Sequence, residues 1–204
     1  MNIGFDLIGM AIMEEDFKKA AEFHGHICPG IAIGYRVAKY AGEHYLRSRD
    51  EELVCIAENK SCSVDAVQSL LGCTAGKGNL IFVDNGKQVF TFYSRDADRA
   101  MRIYFKGDVF RGMDALRQKA ATGRMTAEEK KELAVLRSRV IEEILGGKDE
   151  ELLSVKEVDI PAPEKARIYP SLKCQECGEG FMEILGRTAN GKVLCKECFE
   201  RLVC

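Results

Sequence analysis

The chain has 204 residues, 46% hydrophobic and 30% charged, and its 30 Lys and Arg against 32 Asp and Glu leave a formal net charge of −2. Such a composition excludes a disordered chain, and so small a charge gives no bulk drive toward nucleic acid or a membrane surface. No window approaches the roughly 18 consecutive apolar residues of a membrane span, and residues 1–12 lack the basic start and cleavage site of a secretory signal, so a cytoplasmic protein without membrane association is expected.

In chain order, apolar spacing predicts a helix over residues 12–23, and Pro29 suits the first turn of a second helix through Ala32, Tyr35, Val37, Ala38 and Ala41. Leu53–Ala57, LVCIA, reads as a short buried strand. Ser61 or Ser63 can cap a helix through Ala66, Val67 and Leu70 that Gly72 stops. In LIFVDNGKQVFTFYS, Asn85-Gly86 separates two runs rich in β-branched and aromatic residues and predicts a two-residue hairpin. Met101–Phe105 predicts a third strand. Thr126-Ala-Glu-Glu129 has the spacing of a capping box, and Leu133, Leu136, Val140 and Ile144 follow at helical intervals up to Gly146-Gly147. The predicted class is α+β, with helices packed on a mainly antiparallel sheet, followed by a small zinc-ribbon or treble-clef-like domain. Pro161, Pro163 and Pro170 mark a stiffened linker, which gives a core domain over 1–160, a linker over 161–170 and a four-cysteine domain over 171–204.

In a reducing compartment nine cysteines make better metal ligands than a disulfide scaffold. Cys174-Gln-Glu-Cys177 and Cys195-Lys-Glu-Cys198, 17 residues apart, have the spacing of a four-cysteine zinc site, and four protein ligands make such a site closed and structural. Phe181–Ile184 and Lys192–Leu194 flank Asn190-Gly191 and predict a hairpin that carries one cysteine pair back beside the other; Phe199 and Leu202 begin a terminal helix. So short a tail cannot bury enough surface alone, and zinc would supply the missing folding energy. From Pro161 onward there are seven Lys or Arg against six Asp or Glu, and zinc-bound thiolates add further negative charge, so a protein partner ranks above nucleic acid.

The segment FHGHICPG places His24, His26 and Cys28 at alternate positions, so in extended backbone they share one side. Imidazole plus thiolate is a ligand set for zinc or another transition metal, although a packed histidine and a buried cysteine are equally ordinary. In ENKSCSVDAVQSLLGCTAGKGNL, Cys62 stands at a predicted helix start, where the helix dipole should lower its pKa, and Asp65 and Gln68 follow on the same helical face. Gly72–Gly78 has the wrong spacing for a nucleotide P-loop and a glycine where magnesium needs a hydroxyl, so that reading is rejected. A glycine-rich turn carrying Cys73, Lys77 and Asn79 into the site stays open. Cys55, in mid-strand, and Cys204 are read as non-ligands, and His44 as a surface residue.

FHGHICPG together with ENKSCSVDAVQSLLGCTAGKGNLIF and DNGKQVFTF closely resembles the FmdE family, named for a component of formylmethanofuran dehydrogenase, over about residues 17–105. The four-cysteine tail resembles the zinc-finger extension of a subset of that family. The resemblance implies an α+β core that forms homodimers, and a metal-associated cluster drawn from His24, His26, Cys28, Cys62, Asp65, Cys73 and Lys77. Three ligands with an open position leave room for water or substrate, and His26, Cys28 and Cys62 can supply them. His24 or Asp65 would then orient a ligand or act as general base, with Lys77 stabilising an anionic group. Two functions follow as expectations. One is an enzyme or accessory protein related to formylmethanofuran dehydrogenase, with a small acyl-type substrate or a large-subunit partner. The alternative is a non-enzymatic metal-sensing or adaptor protein whose finger binds a protein or transcriptional partner.

Overall fold

The computed structural model describes residues 14–203 of the chain, so the first residues of the helix expected over 12–23, and Cys204, lie outside the described residues. The chain divides into two compact units between Lys165 and Ala166. Among the described residues no helix is long and apolar enough to cross a membrane.

The first unit opens with helix α1 (Glu15–His24), which buries Phe17, Ala20 and Ala21 and stops at Gly25. Helix α2 (Pro29–His44) starts on its proline, as fixed φ and a missing N–H favour, and buries an unbroken face from Ile31 to Ala41. Strand β1 (Leu53–Ala57) leads into α3 (Ser63–Leu71). Helices α2 and α3 cross closely at Gly34, where an added Cβ would sit 2.0 Å from the Ser63 carbonyl oxygen. Strands β2 (Leu80–Phe82), β3 (Val89–Ser94) and β4 (Arg99–Phe105) follow, then a 3-10 turn at 108–110, α4 (Asp114–Ala121), α5 (Ala127–Gly146), the single turn α6 (Asp149–Leu152) and β5 (Leu153–Val158).

These strands form one sheet of order β2-β1-β3-β4-β5. All neighbours are antiparallel except β1 and β2, which run parallel with Cys55 opposite Leu80. The helical side of the sheet carries the main core, including Phe17, Phe90 and Phe92, each at most 1% exposed. Burying a side chain of that size contributes about 1.5–3 kcal/mol. Val54, Tyr93 and Ala100 form a smaller apolar cluster, as the alternation of strand side chains requires. Helix α5 has the expected capping box, with Thr126 and Glu129 satisfying each other's amides, and buries Leu133, Val140, Ile141 and Ile144. Arg36 of α2 donates to the Leu145 carbonyl at 2.9 Å and pairs with Asp149, which fastens the end of α5 to α2.

The hairpin expected at Asn85-Gly86 does not form. LVCIA is apolar throughout and is buried best in the middle of the sheet, so β1 lies between β2 and β3 and the intervening residues wrap over its end. The Val83 amide donates to Ala57 and the Lys87 amide to Glu58, at 2.9 and 3.0 Å. Of Asn85 and Gly86 only Gly86 has positive φ, whereas the tight hairpin turn needs both.

In the second unit β6 (Ser171–Lys173) pairs with β7 (Gly180–Met182), holding the first cysteine pair in the connecting turn. A 3-10 turn leads to β8 (Arg187–Ala189) and β9 (Lys192–Leu194), and helix α7 (Lys196–Val203) carries Cys198. Asn190 and Gly191, at φ 50° and 74°, make the tight turn that Asn85-Gly86 does not. That turn joins β8 to β9; Phe181 pairs instead with Leu172, which corrects the strand partners expected from sequence.

Candidate metal centre

The α1–α2 junction and the start of α3 build the cluster in the main unit. Gly25 ends α1 in the left-handed region, and Cys28 is the extended residue that precedes Pro29, so His24, His26 and Cys28 are carried at the end of α1 and on the short connector after it. Each offers a donor atom within 4.8 Å of the other two. The imidazoles of His24 and His26 lie 4.4 Å apart between centroids. Cys62, immediately before α3, stands beside this group on the Cys28 side: an added Cβ on Gly30 would stand 3.6 Å from the sulfurs of both Cys28 and Cys62. Glycine at 30 is thus what lets the two thiols face one another.

Asp65 fixes the state of His24. Its Oδ2 lies 2.7 Å from His24 Nδ1, and an ionised carboxylate can only accept, so Nδ1 carries the proton. The lone pair of the neutral ring is then on Nε2, which faces Cys28 Sγ at 3.8 Å. A tetrahedral zinc ion would separate a bound imidazole nitrogen and a bound thiolate by roughly 3.6 Å, so this pair is spaced as two ligands of one ion. Gln68 Nε2 donates to Asp65 Oδ1 at 3.1 Å and holds the carboxylate in place, one helical turn along the same face. Carboxylate, imidazole and donor cluster in that order are the arrangement that sets ligand tautomer in metal sites.

This geometry changes several expectations. His24 belongs with His26 and Cys28 in the tightest donor group, where it can serve as a ligand itself, and Asp65 is the residue that orients it. Burial and the neighbouring Cys28 sulfur push the Cys62 thiol up, outweighing the lowering expected from its place at a helix start. Cys73 does not join the cluster. It is fully buried, donates to the Leu53 carbonyl at 3.4 Å, and burial pushes its thiol to about 12. Lys77 donates to the carbonyls of Ser48 and Arg49 at 3.4 and 3.3 Å, and Asn79 donates to Ser48 Oγ and to the Asp50, Leu53 and Gly72 carbonyls. The glycine-rich turn therefore anchors the segment before β1, because the buried Asn79 amide and the half-buried Lys77 ammonium satisfy that loop's carbonyls. Cys55 is buried in β1, and His44 is exposed, stacked on Tyr40.

A cavity of about 1120 Å³ opens beside the cluster, lined in part by His26, Cys28 and Cys62. Gln88 and Ser61 also line it; Gln88 Nε2 donates to Ser61 Oγ at 3.1 Å and its Oε1 accepts from Ser63 Oγ at 3.0 Å, which ties the start of α3 to β3. Residues of α4 and α5, among them Arg117 and Arg137, complete the lining. Sequence reasoning missed Arg117 because α4 has no buried residue to create a periodic signal, and Arg137 because it is an exposed residue of α5 that helical spacing does not single out.

In the second unit Cys174, Cys177, Cys195 and Cys198 bring their sulfurs within 4.8 Å of one another. Tetrahedral zinc–thiolate geometry needs about 3.8 Å between sulfurs, so the set fits a closed four-sulfur site. Although desolvation opposes ionisation of Cys174, backbone amides led by that of Cys195, 3.3 Å from its sulfur, bring its thiol down to about 6. Leu194 and Phe181 pack against the buried sulfurs.

Comparison with known proteins agrees with both units. The profile of the prokaryotic dksA/traR C4-type zinc finger matches residues 167–203. A protein of Archaeoglobus fulgidus described as a "Probable S-adenosyl-L-methionine-binding protein" is 29% identical over 192 residues, 88% of this chain, and the chain spans 51% of that relative's length. A crystal structure of a tungsten formylmethanofuran dehydrogenase FmdE-like protein from Syntrophus aciditrophicus superposes with a TM-score of 0.59 at 22% identity, covering 93% of both chains, which shows a shared fold. The profile described as FmdE, molybdenum formylmethanofuran dehydrogenase operon, matches residues 23–154, which contain every donor of the main-unit cluster: the chain belongs to the FmdE family and carries a C4 zinc finger after that domain.

Proposed function

We propose that this FmdE-family protein holds two metal ions with different tasks: a structural zinc in the finger, and a reactive transition metal, zinc or another, at His24, His26, Cys28 and Cys62. The observation that carries the second site is the Asp65–His24–Cys28 line, in which a carboxylate fixes the imidazole proton on Nδ1 and aims the free lone pair at a thiol. Bound there, the metal supplies Lewis acidity or an activated water. The chain's own groups do the rest. Asp65, held by Gln68, keeps the His24 proton on Nδ1 and orients the ring, Gln88 and Ser61 offer hydrogen bonds at the cavity wall, and Ile33 and Phe105 give the cavity apolar surface. A small acyl-type molecule suits that lining, in an enzyme or accessory protein related to formylmethanofuran dehydrogenase. S-adenosyl-L-methionine, named in the description of the Archaeoglobus relative, is a further ligand to titrate. The working assembly in this reading is a homodimer, with a large catalytic chain as its partner.

Elemental analysis of the full chain tests the metal reading. Two metal equivalents per chain are expected, one lost in the H26A/C28S double variant and the other in C174S/C177S. A metal content that is the same in H26A/C28S as in the unaltered chain, whether one equivalent or two, overturns the core site. Sedimentation and co-purification with a tagged chain test the dimer and the large partner; a monomer, or no large chain retained, removes those parts.

A further inference from the structure

The cavity beside the donor cluster has a charge pattern that the metal does not use. Lys87, Arg117 and Arg137 line it, and among the described residues no aspartate or glutamate does, although acidic residues outnumber basic ones in the chain as a whole. Most arginines with a structural task here have a visible partner, as Arg36 has Asp149, Arg102 has Glu58 and Arg95 has Glu51. Among the described residues the guanidinium groups of Arg117 and Arg137 form no ion pair. The Arg117 guanidinium lies over the Phe110 ring at 5.1 Å from its centroid, a cation–π contact that uses the ring face and none of the N–H donors. Arg137, Ser138 and Ile141 fall on one face of α5, so a cation, a hydroxyl and an apolar side chain enter the cavity together. Apolar surface from Phe110 and Met113 continues it. At about 1120 Å³ the space is sufficient for a small organic molecule.

We infer that the cavity binds an amphipathic organic oxyanion, a carboxylate or phosphate on an apolar body, with Arg117 and Arg137 taking the anionic head and the apolar wall taking the body. Guanidinium donors paired with two oxygens of a carboxylate or phosphate give directed, charge-assisted bonds, and the surplus of positive charge would reject an analogue with a cationic head. This deepens the proposed function by naming its substrate class, and rests on it only for the assignment of the metal cluster as the reacting end.

The test compares phenylbutyrate with its uncharged amide, phenylbutyramide, by calorimetric titration of the full chain. The carboxylate is expected to bind about tenfold or more tightly than the amide, and R117Q/R137Q to abolish the difference with thermal melting unchanged. The preference is also expected to persist in H26A/C28S, which separates arginine recognition from coordination of the probe by a metal. Equal binding of the two probes, no binding of the carboxylate, or a preference that survives R117Q/R137Q or disappears in H26A/C28S overturns the inference. A change of oligomeric state in R117Q/R137Q overturns it too, by showing that a second copy covers this face. A preference without any core metal sinks the metal reading alone; a core metal without the preference sinks this inference alone.

Discussion

Gly34→Ala is the sharpest probe of how the fold positions the site. At an ordinary helical position alanine is favoured over glycine by about 1 kcal/mol. At 34 the new Cβ would stand 2.0 Å from Ser63 O and 2.7 Å from both Ser63 C and Cα, all backbone atoms that no rotamer change can move. Restoring ordinary contact means separating α2 from α3 by about an ångström, and overpacking of this kind costs about 1–3 kcal/mol or more in a close-packed core. The displaced residue is the one after Cys62, and Ser63 also bonds Gln88, so the strain spreads into the donor cluster. A net loss of about 2 kcal/mol is expected, which lowers the melting temperature by about 4–8 °C in a chain of this size. Gly42→Ala on the same helix is the control. Its Cβ would meet only Leu71 Cδ2 at an ordinary 3.6 Å, so it should raise stability by about 0.4–1 kcal/mol. Denaturant titration of metal-replete protein, followed by far-UV circular dichroism, reads both signs. Equal stabilities for G34A and G42A would refute the claim that helix contact at this glycine sets the position of Cys62.

Gly30→Ala places a Cβ 2.8 Å from Cys62 Cβ, so it should force the facing thiols apart and lower core metal content while the finger retains its zinc; unchanged metal content would count against Cys62 as part of the site. Asp65→Asn leaves one acceptor oxygen where the carboxylate serves both His24 and Gln68, and removes its charge, so the His24 ring is held less firmly and chelator competition should show core-metal affinity weakened by about 10–100-fold, with no change in the four-cysteine site. Glu52 supplies a pH prediction: its carboxylate accepts from the Asp50 amide above all, and also from its own amide, Ser48 Oγ and the Arg49 amide, which holds its pKa at about 2 against an ordinary 4.5. A depressed folded-state pKa stabilises above the unfolded value and loses that contribution as pH falls from 4.5 toward 2, so E52Q should be less stable at neutral pH and show a flatter acid limb in denaturant midpoint against pH. An identical pH profile for E52Q would discard that reading.

Signals that depend on near neighbours in the chain are readable without the fold. The four-cysteine finger is specified by two pairs at fixed short spacing, the capping box of α5 by Thr126 and Glu129, and the α2 start by Pro29, because turn geometry and helix ends are settled within a few residues. Asp65 and Gln68 share a helical face as the period of the helix requires. The hairpin at Asn85-Gly86 fails for a nonlocal reason: the turn preference of two residues is weaker than burial of LVCIA between two strands. Cys73 and Lys77 mislead in a similar way, since chemistry-bearing residue types in a motif do not say whether they face a cavity or satisfy the carbonyls of a neighbouring loop.

What the sequence alone determined is the inventory: an α+β domain, a separate cysteine finger, and a set of imidazole, thiol and carboxylate groups in two segments. Only the tertiary structure decided their roles. It set the Asp65 carboxylate on His24, turned the Nε2 lone pair toward Cys28, sent Cys73 into the core, and brought Arg117 and Arg137 into the cavity beside Cys62. Local periodicity fixes which face a residue occupies, but what that face meets depends on helix crossings such as the one at Gly34, where residues far apart in the chain come within an ångström-scale tolerance.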